Sequence, residues 1–233
     1  MLIDSYENFI KYFKLENTFA DWAIENTIFF TPEHEENFNH QWDKIKTALN
    51  GNDVEHKIYI RSNGNNGCNN DVLINVYKKV FPNTNIRIDA HRNTTTHSKV
   101  DQLGNYKRNH GNIEKFNVVK NFIVSHIFAN TANPYLFHAP WNFCLTPAIV
   151  DPLTGHESNG NLTEEYKRKF FKKAFEKYNK YIEEYNAILK DNNYKEKISK
   201  AFDEYEKEIS GLADNFKQQI LQQWDPIIKE NYI

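Results

Sequence analysis

The sequence predicts a mixed α/β (α+β) fold, with a small β-core between an N-terminal mixed region and a C-terminal helical hairpin. Two patterns favour this class. Short runs of β-branched and aromatic residues occupy the middle of the chain, and long stretches with apolar residues at helical spacing follow them. We expect one compact unit built from residues 1–115, 116–160 and 161–233, without an internal repeat.

The first 90 residues predict alternating helices and strands. Thr31 and Pro32 are typical of a helix N-terminus, Gly51 of a helix end, and Asp71 of the cap of a further helix. The polar segment 91–112 predicts a long loop or a small elaboration. The predicted helices cover 6–13, 32–50 and 71–80, and the predicted strands cover 56–61 and 85–89.

Two strands are predicted in the middle of the chain. FNVVKNFIVSHI over 116–127 and WNFCLTPAIV over 141–150 are rich in β-branched and aromatic residues, and a wide loop separates them. Asp151, which a proline follows, predicts the start of a short helical turn that ends at Gly160.

The last 70 residues predict two antiparallel helices. Thr163 opens a long helix, and a second helix is expected over 194–224. We interpret the aromatic stripe of the first helix as core packing rather than as a ligand site. This stripe contains Phe170, Phe171, Phe175, Tyr178, Ile182, Tyr185 and Leu189.

The composition excludes several classes of protein. Of the 233 residues, 39% are hydrophobic and 15% aromatic, which excludes a disordered or collagen-like chain. No apolar run approaches the roughly 20 residues of a membrane span, and the N-terminus lacks the pattern of a signal peptide. Two cysteines cannot build a disulfide framework or a four-thiolate zinc site. We expect a cytoplasmic protein with no membrane partner.

Charge is segregated along the chain although the net charge is only −2. Residues 1–56 hold 4 Lys/Arg and 11 Asp/Glu, giving −7, whereas residues 57–120 hold 11 Lys/Arg and 4 Asp/Glu, giving +7. A basic segment can attract a polyanion in a neutral protein, because salt screens charges beyond roughly 10 Å. The alternative is an ordinary solvated surface.

Three residues of the middle segment carry potential chemistry: His126, Asn142 and His156. A strand–loop–strand–helix arrangement can bring them to one concavity. A neutral imidazole can take a proton from water, and a carboxamide with a second imidazole can hold a divalent cation against a phosphate. The pattern favours phosphodiester hydrolysis. The structural alternatives are a core histidine, a turn asparagine and an exposed loop histidine.

The same segment resembles the HNH, or ββα-metal, nuclease family. In relatives with a D-H-I-x-G-N-x-x-N opening, asparagines follow the catalytic histidine at plus four and plus seven. Asn130 and Asn133 stand at those offsets from His126. The apolar run after Asn142, which ends at Pro147, also matches the family pattern.

The resemblance covers roughly residues 116–160 and implies a role for each motif residue. His126 would be the general base, Asn142 the central asparagine that orients the base or contacts the metal, and His156 a metal ligand. The implied fold is a ββα-metal core, and the implied cofactor is Mg²⁺ or another divalent cation such as Mn²⁺.

Three departures from the family pattern concern the metal ligands. Ser125 stands where many relatives place an Asp or His ligand. The paired cysteines of zinc-stabilised members are absent. The long interval before His156 leaves Glu157, Asn159 or Asn161 as alternative last ligands.

DNA contacts are expected from the basic segment and from a loop rich in Asn and Gly over 63–70. This loop lacks the Gly-Lys-Ser/Thr of a P-loop, so no nucleotide cofactor is expected. Arg side chains can pair with guanine and Asn side chains with adenine. The alternative is that this loop is only a flexible turn. We interpret His138 as structural or as a phosphate contact. The predicted DNA contacts are Arg61, Asn63, Asn65, Asn66, Arg92, Lys107, Arg108, Lys120, Asn130 and Asn133.

The resemblance implies a type II restriction endodeoxyribonuclease, and the wording of the motif is similar to the group that cuts CATG-centred sites. Such an enzyme would hydrolyse double-stranded DNA at a short specific site and leave 5′-phosphate ends. A palindromic site would require a homodimer. The alternatives are a non-specific or toxin-type HNH nuclease, and a non-enzymatic helical interaction protein.

Overall fold

The computed structural model describes residues 5–16, 18–31, 35–61, 67–89, 94–103, 106–108, 117–154, 160–208 and 214–233. Within this part of the chain, helices and strands share one hydrophobic core. The helices are α1 (Ser5–Tyr12), α2 (Phe19–Glu25), α3 (Glu35–Leu49), α4 (Gly67–Val80), α5 (Thr94–Leu103), α6 (Asp151–Thr154), α7 (Asn161–Asn192), α8 (Tyr194–Glu208) and α9 (Asp214–Gln222). The strands are β1 (Ile28–Phe29), β2 (Lys57–Ile60), β3 (Asn85–Ile88), β4 (Tyr106–Arg108), β5 (Asn117–Val119), β6 (Phe122–His126) and β7 (Phe143–Pro147).

The described strands form three small sheets. β7 is the central strand of an antiparallel sheet, with β1 on one side and β6 on the other. The β6–β7 register places His126 opposite Phe143. β2 and β3 pair in parallel, as do β4 and β5. The mixed α/β class is therefore confirmed.

The parallel pair β2–β3 lies against the loop that joins β6 to β7. α4 forms the crossover between the two parallel strands, as parallel pairing requires. At their carboxyl ends, the Arg61 N–H donates to the Thr131 carbonyl at 2.8 Å, and the Asp89 N–H donates to Ile60. The hairpin loop and the ends of the parallel strands are thus one hydrogen-bonded assembly.

The long helix α7 supplies the aromatic side of the core. Its predicted stripe is confirmed, since Phe170, Phe175, Tyr178 and Tyr185 are all buried. Asn193, in the left-handed conformation with φ of 50°, ends the helix and starts the turn into α8. A turn between two helices is therefore present where the sequence predicts one, but α8 packs mainly against α4 rather than α7.

Aromatic side chains join the hairpin loop to this helical layer. Trp141 and Tyr135 of the loop each lie within 6.4 Å of the Tyr185 ring, measured between ring centroids. Trp42 of α3 packs edge-on against Trp141 at 5.5 Å. Because aromatic rings bury large areas, these contacts fix the loop against two helices at once.

Two predicted elements were wrong in extent. The 116–127 strand is divided between β5 and β6, because Asn121 adopts a left-handed φ of 59° between them. The segment 91–112 contains α5 and β4, which agrees with the small elaboration rather than the long loop among its two predicted alternatives, and buried Val100 and Leu103 anchor that helix. α4 begins at Gly67, one turn before the predicted cap.

The predicted single helix over 194–224 was also wrong. In one helix, residues 14 apart would be separated by about 21 Å. Instead, the Phe202 and Phe216 ring centroids are 6.1 Å apart, and Lys217 forms an ion pair with Asp203. The chain therefore reverses, and α9 packs against α8.

Two short elements were not predicted. α2 contributes buried Phe19, Ala20 and Ala23 to the core, and β1 adds a third strand beside β7. Both segments are too short for a periodic signal. Among the described helices, none is long and apolar enough to cross a membrane.

Replacing Tyr178 by Phe is expected to lower the free energy of unfolding by about 1–2 kcal/mol, because the buried Phe30 carbonyl loses its hydrogen-bond donor. Urea unfolding measures the effect. Tyr12→Phe is the control, since Tyr12 is 81% exposed and should change stability by less than about 0.5 kcal/mol. Equal effects of the two variants would contradict the prediction.

Candidate functional site

Asn142 holds the β6–β7 loop in shape. Its Oδ1 accepts the Phe128 N–H at 2.8 Å, and its Nδ2 donates to the Leu136 carbonyl at 3.0 Å. Its own carbonyl accepts the Ile127 N–H at 2.7 Å. The side chain is fully buried, so one carboxamide at the end of the loop satisfies backbone groups at its start and in its middle.

This environment differs from the predicted metal-ligand role of Asn142. Its Oδ1, the only atom of this side chain that could bind a cation, is occupied by a backbone N–H. The hydrogen bonds support positioning of the loop whose Phe137 carbonyl contacts the candidate base. The position of this residue agrees with the orienting role, and the metal contact stays a prediction without support.

His126 lies at the carboxyl end of β6 with a defined tautomer. Its Nε2 is 3.0 Å from the Phe137 carbonyl, which can only accept, so Nε2 carries the hydrogen. Nδ1 therefore carries a lone pair. The imidazole also stacks on the Phe137 ring, with centroids 5.2 Å apart. The structure thus presents an imidazole with one basic nitrogen at the end of β6.

Burial lowers the pKa of His126 to about 4, so the ring is neutral at pH 7. The Phe137 hydrogen bond opposes this effect, the Arg61 charge lowers the pKa further, and the Asp89 carboxylate raises it. These two charged groups stand at the ends of β2 and β3. The carboxyl ends of parallel strands therefore face the candidate base.

A second histidine, His138, is held by a short polar chain. The Thr95 hydroxyl donates to Asp89 Oδ2 at 2.9 Å, so its oxygen accepts from His138 Nε2 at 3.0 Å. Sequence reasoning missed Asp89 and Thr95. A signal was present for Asp89, because it directly follows a strand of a parallel pair, where ligands often bind.

Two motif asparagines have different positions. Asn133 is completely buried, and its Nδ2 donates to the Tyr185 hydroxyl and the Gln223 carbonyl. This placement is incompatible with the predicted DNA contact, which is corrected here. Asn130 is partly exposed, with φ of 43°, and helps to turn the chain after β6. Its predicted contact with DNA stays a prediction.

Ser125 and His126 lie on opposite faces of β6, as neighbours on a strand must. The Ser125 hydroxyl is buried and hydrogen-bonded to the Thr146 hydroxyl at 2.8 Å. Ser125 is therefore not placed to share a ligand with His126.

The other predicted site residues fall into three groups. Arg61 and Lys120 are exposed, at the end of β2 and just before β6. Lys107 and Arg108 belong to β4, but their side chains lie outside the described part of the structure. The remaining predicted residues lie wholly outside the described residues: Asn63, Asn65, Asn66, Arg92 and His156, with the alternative ligands Glu157 and Asn159.

The described residues hold no group of three or more His, Cys, Asp or Glu side chains arranged to bind a metal ion. Cys144 is buried, and burial raises the pKa of its thiol, so it is not a thiolate ligand at neutral pH. Asn161, the third alternative ligand, is exposed at the start of α7.

Comparison with known proteins finds similarity over most of the chain. The profile of a family described as "Uncharacterised protein PM1201" matches residues 33–229. A relative from Pasteurella multocida (strain Pm70), named "Uncharacterized protein PM1201", is 34% identical over 203 residues, which cover 87% of this chain and 86% of the relative. No solved structure matches the chain significantly. The matched range includes β6 and β7, the parallel pair β2–β3 and all of α7.

Replacing Asn142 by Ala is expected to lower the free energy of unfolding by about 3–5 kcal/mol, because the buried N–H of Phe128 and carbonyl of Leu136 lose their partners. Asn179→Ala is the control, since this exposed asparagine bonds only a surface glutamate. A loss below about 1 kcal/mol in urea unfolding would rule out the loop-holding role.

Acidification is expected to destabilise the protein through His126. Its pKa is about 4 in the folded state and about 6.5 in the unfolded state, so the unfolded chain binds more protons between these values. Stability is therefore lost as the pH falls from 6.5 towards 4. In His126→Gln, the loss between pH 7 and pH 4.5 should be smaller by roughly 2 kcal/mol.

The pH dependence is measured by urea unfolding at a series of pH values. Ser125→Ala is the matched control, because it removes a neighbouring side chain on the opposite face and leaves the histidine unchanged. Parallel stability curves for the wild type and His126→Gln would disprove the assignment.

Proposed function

The chain belongs to the PM1201 family, and we propose that it is a metal-dependent endodeoxyribonuclease in which His126 activates the attacking water. The finer form of the proposal is a type II restriction enzyme that acts as a homodimer on a short symmetric site. The observation that carries it is the Nε2–H of His126 bonded to the Phe137 carbonyl, which leaves Nδ1 as a free base.

A fixed tautomer supports general base catalysis. A base is effective when its lone pair is oriented and its ring is neutral before the reaction. The carbonyl of Phe137 orients the ring, and burial, which lowers the pKa of His126 to about 4, keeps the ring unprotonated at neutral pH. A bound phosphate would raise this pKa towards neutrality, because its negative charge stabilises the imidazolium.

The surrounding charge supports a phosphodiester as the substrate. Arg61 is exposed at the end of β2, and its charge acts on the His126 ring. A guanidinium at this position can bind a phosphate oxygen in a bidentate manner.

The proposed reaction begins when Nδ1 of His126 accepts a proton from a water molecule. The water oxygen forms a bond to phosphorus, and the bond from phosphorus to the 3′ oxygen breaks. The 3′ oxygen takes a proton from solvent, so the products are a 5′-phosphate and a 3′-hydroxyl. Arg61 would stabilise the negative charge of the transition state.

A Mg²⁺ ion bound by the predicted ligands does not fit the described residues. Asn142 Oδ1 is occupied, and His156 lies outside the described part of the chain. When bound, a divalent cation would neutralise the phosphate and the leaving oxygen. The metal requirement is therefore a separate part of the proposal, which chelation tests independently of His126.

Replacing His126 by Ala is expected to slow cleavage of supercoiled plasmid DNA in Mg²⁺ by about 10²–10⁴-fold, because the general base is lost. DNA retention in a gel-shift assay should change little. Ser125→Ala is the matched control and should cleave at close to the wild-type rate, since its hydroxyl lies on the other face of β6.

The same assay separates the alternatives. Cleavage by His126→Ala at the wild-type rate would overturn the assignment of the base, and activity that persists in EDTA would overturn the metal requirement. Discrete fragments support the restriction enzyme, whereas a smear identifies a non-specific nuclease. A wild-type protein that fails to cleave any DNA would overturn the nuclease proposal.

A further inference from the structure

A polar pocket of about 350 Å³ lies beside the candidate site. Its walls come from α3, from α5, from the residue before β2 and from the β6–β7 loop. The residues that matter for its chemistry are His40, Gln41, Lys44, His56, Lys99 and His138. The last of these directly follows Phe137, so the pocket adjoins the element that holds His126.

The pocket concentrates positive charge. Among the described residues, no carboxylate lines it, and neither Lys44 nor Lys99 forms an ion pair. Burial lowers the pKa of Lys99, and the nearby charge of Lys44 lowers it further. Two cations that repel each other in a partly enclosed space favour an anion between them.

The same positive charges help to lower the pKa values of two histidines of the pocket. Burial lowers the pKa of His56, the Lys99 charge lowers it further, Asp53 opposes this effect and Lys44 adds to it. Burial and the Lys99 charge also lower the pKa of His138. A bound anion would offset the charge of the two lysines and so reduce this lowering of the histidine pKa values.

Two neutral groups indicate that the ligand also carries hydroxyl groups. Gln41 Oε1 is buried and has no hydrogen-bond partner among the described residues. His138 donates through Nε2 to Thr95, so its Nδ1 is an acceptor. Gln41 Oε1 needs a donor, because a buried acceptor without one is costly. An anion without a hydroxyl group would leave it unsatisfied.

We propose that this pocket binds the phosphate group of a phosphate monoester that carries hydroxyl groups, of the size of a nucleoside monophosphate. The two lysines neutralise the dianion, and Gln41 with His138 accepts hydrogen bonds from hydroxyl groups of the ligand. The volume is within the range of small-molecule sites and exceeds the space that a phosphate alone needs. The proposal does not depend on the nuclease activity.

The test is isothermal titration of the full chain at constant ionic strength, with deoxythymidine 5′-monophosphate, inorganic phosphate and dimethyl phosphate as probes and sodium chloride as the blank. The nucleotide should bind saturably and at least fivefold more tightly than inorganic phosphate, because it adds a hydroxyl group. Dimethyl phosphate, a monoanion without hydroxyl groups, should bind at least tenfold more weakly than the nucleotide.

Lys99→Met should weaken nucleotide binding at least tenfold while the variant keeps its fold by circular dichroism. Lys44→Met, at an exposed helix position, is the second variant and should show a loss in the same direction. Lys172→Met is the matched control, since this exposed lysine of α7 does not line the pocket.

Three results would overturn the proposal. They are nucleotide binding that both lysine variants leave unchanged, equal affinity for the nucleotide and dimethyl phosphate, and the absence of saturable binding up to about 10 mM nucleotide. His126→Ala should bind the nucleotide like the wild type. The pocket proposal and the nuclease proposal can therefore be disproved independently.

Discussion

The buried carboxamide of Asn142 is the interaction on which the candidate site depends. A loop of this length between two strands needs an internal partner for its backbone, because buried N–H and C=O groups without one are costly. From the end of the loop, Asn142 satisfies groups at its start and in its middle. The loop in turn places the Phe137 carbonyl against His126 and fixes its tautomer. A structural hydrogen bond thus determines which nitrogen can act as a base.

The same loop joins the two halves of the molecule. On one side, Thr131 accepts the Arg61 N–H from the end of β2. On the other side, Ala132 accepts the Tyr77 hydroxyl from α4 and donates to the Gln223 side chain beyond α9. The parallel strands, the crossover helix and the C-terminal helices therefore meet at consecutive residues. For this reason, Arg61 and Asp89, at the ends of β2 and β3, lie close enough to His126 to affect its pKa.

Two chemical features follow from adjacent residues of that loop. The backbone of Phe137 orients His126, and the next side chain, His138, lines the polar pocket. Asp89 contributes to both, since it acts on the pKa of His126 and holds Thr95 against His138. The two sites share a scaffold, but their ligands would contact different side chains.

The sequence by itself determined the α/β class, the aromatic face of α7 and the position of His126 at the end of a strand, because each follows from the local pattern of apolar and polar residues. It also singled out Asn142 as special. Only the tertiary structure decided that Asn133 is buried under Tyr185 and that Asp89 and Thr95 orient His138. Those contacts join residues that are distant along the chain. Spacing carries no information about them, since the packing of separate elements brings such groups together.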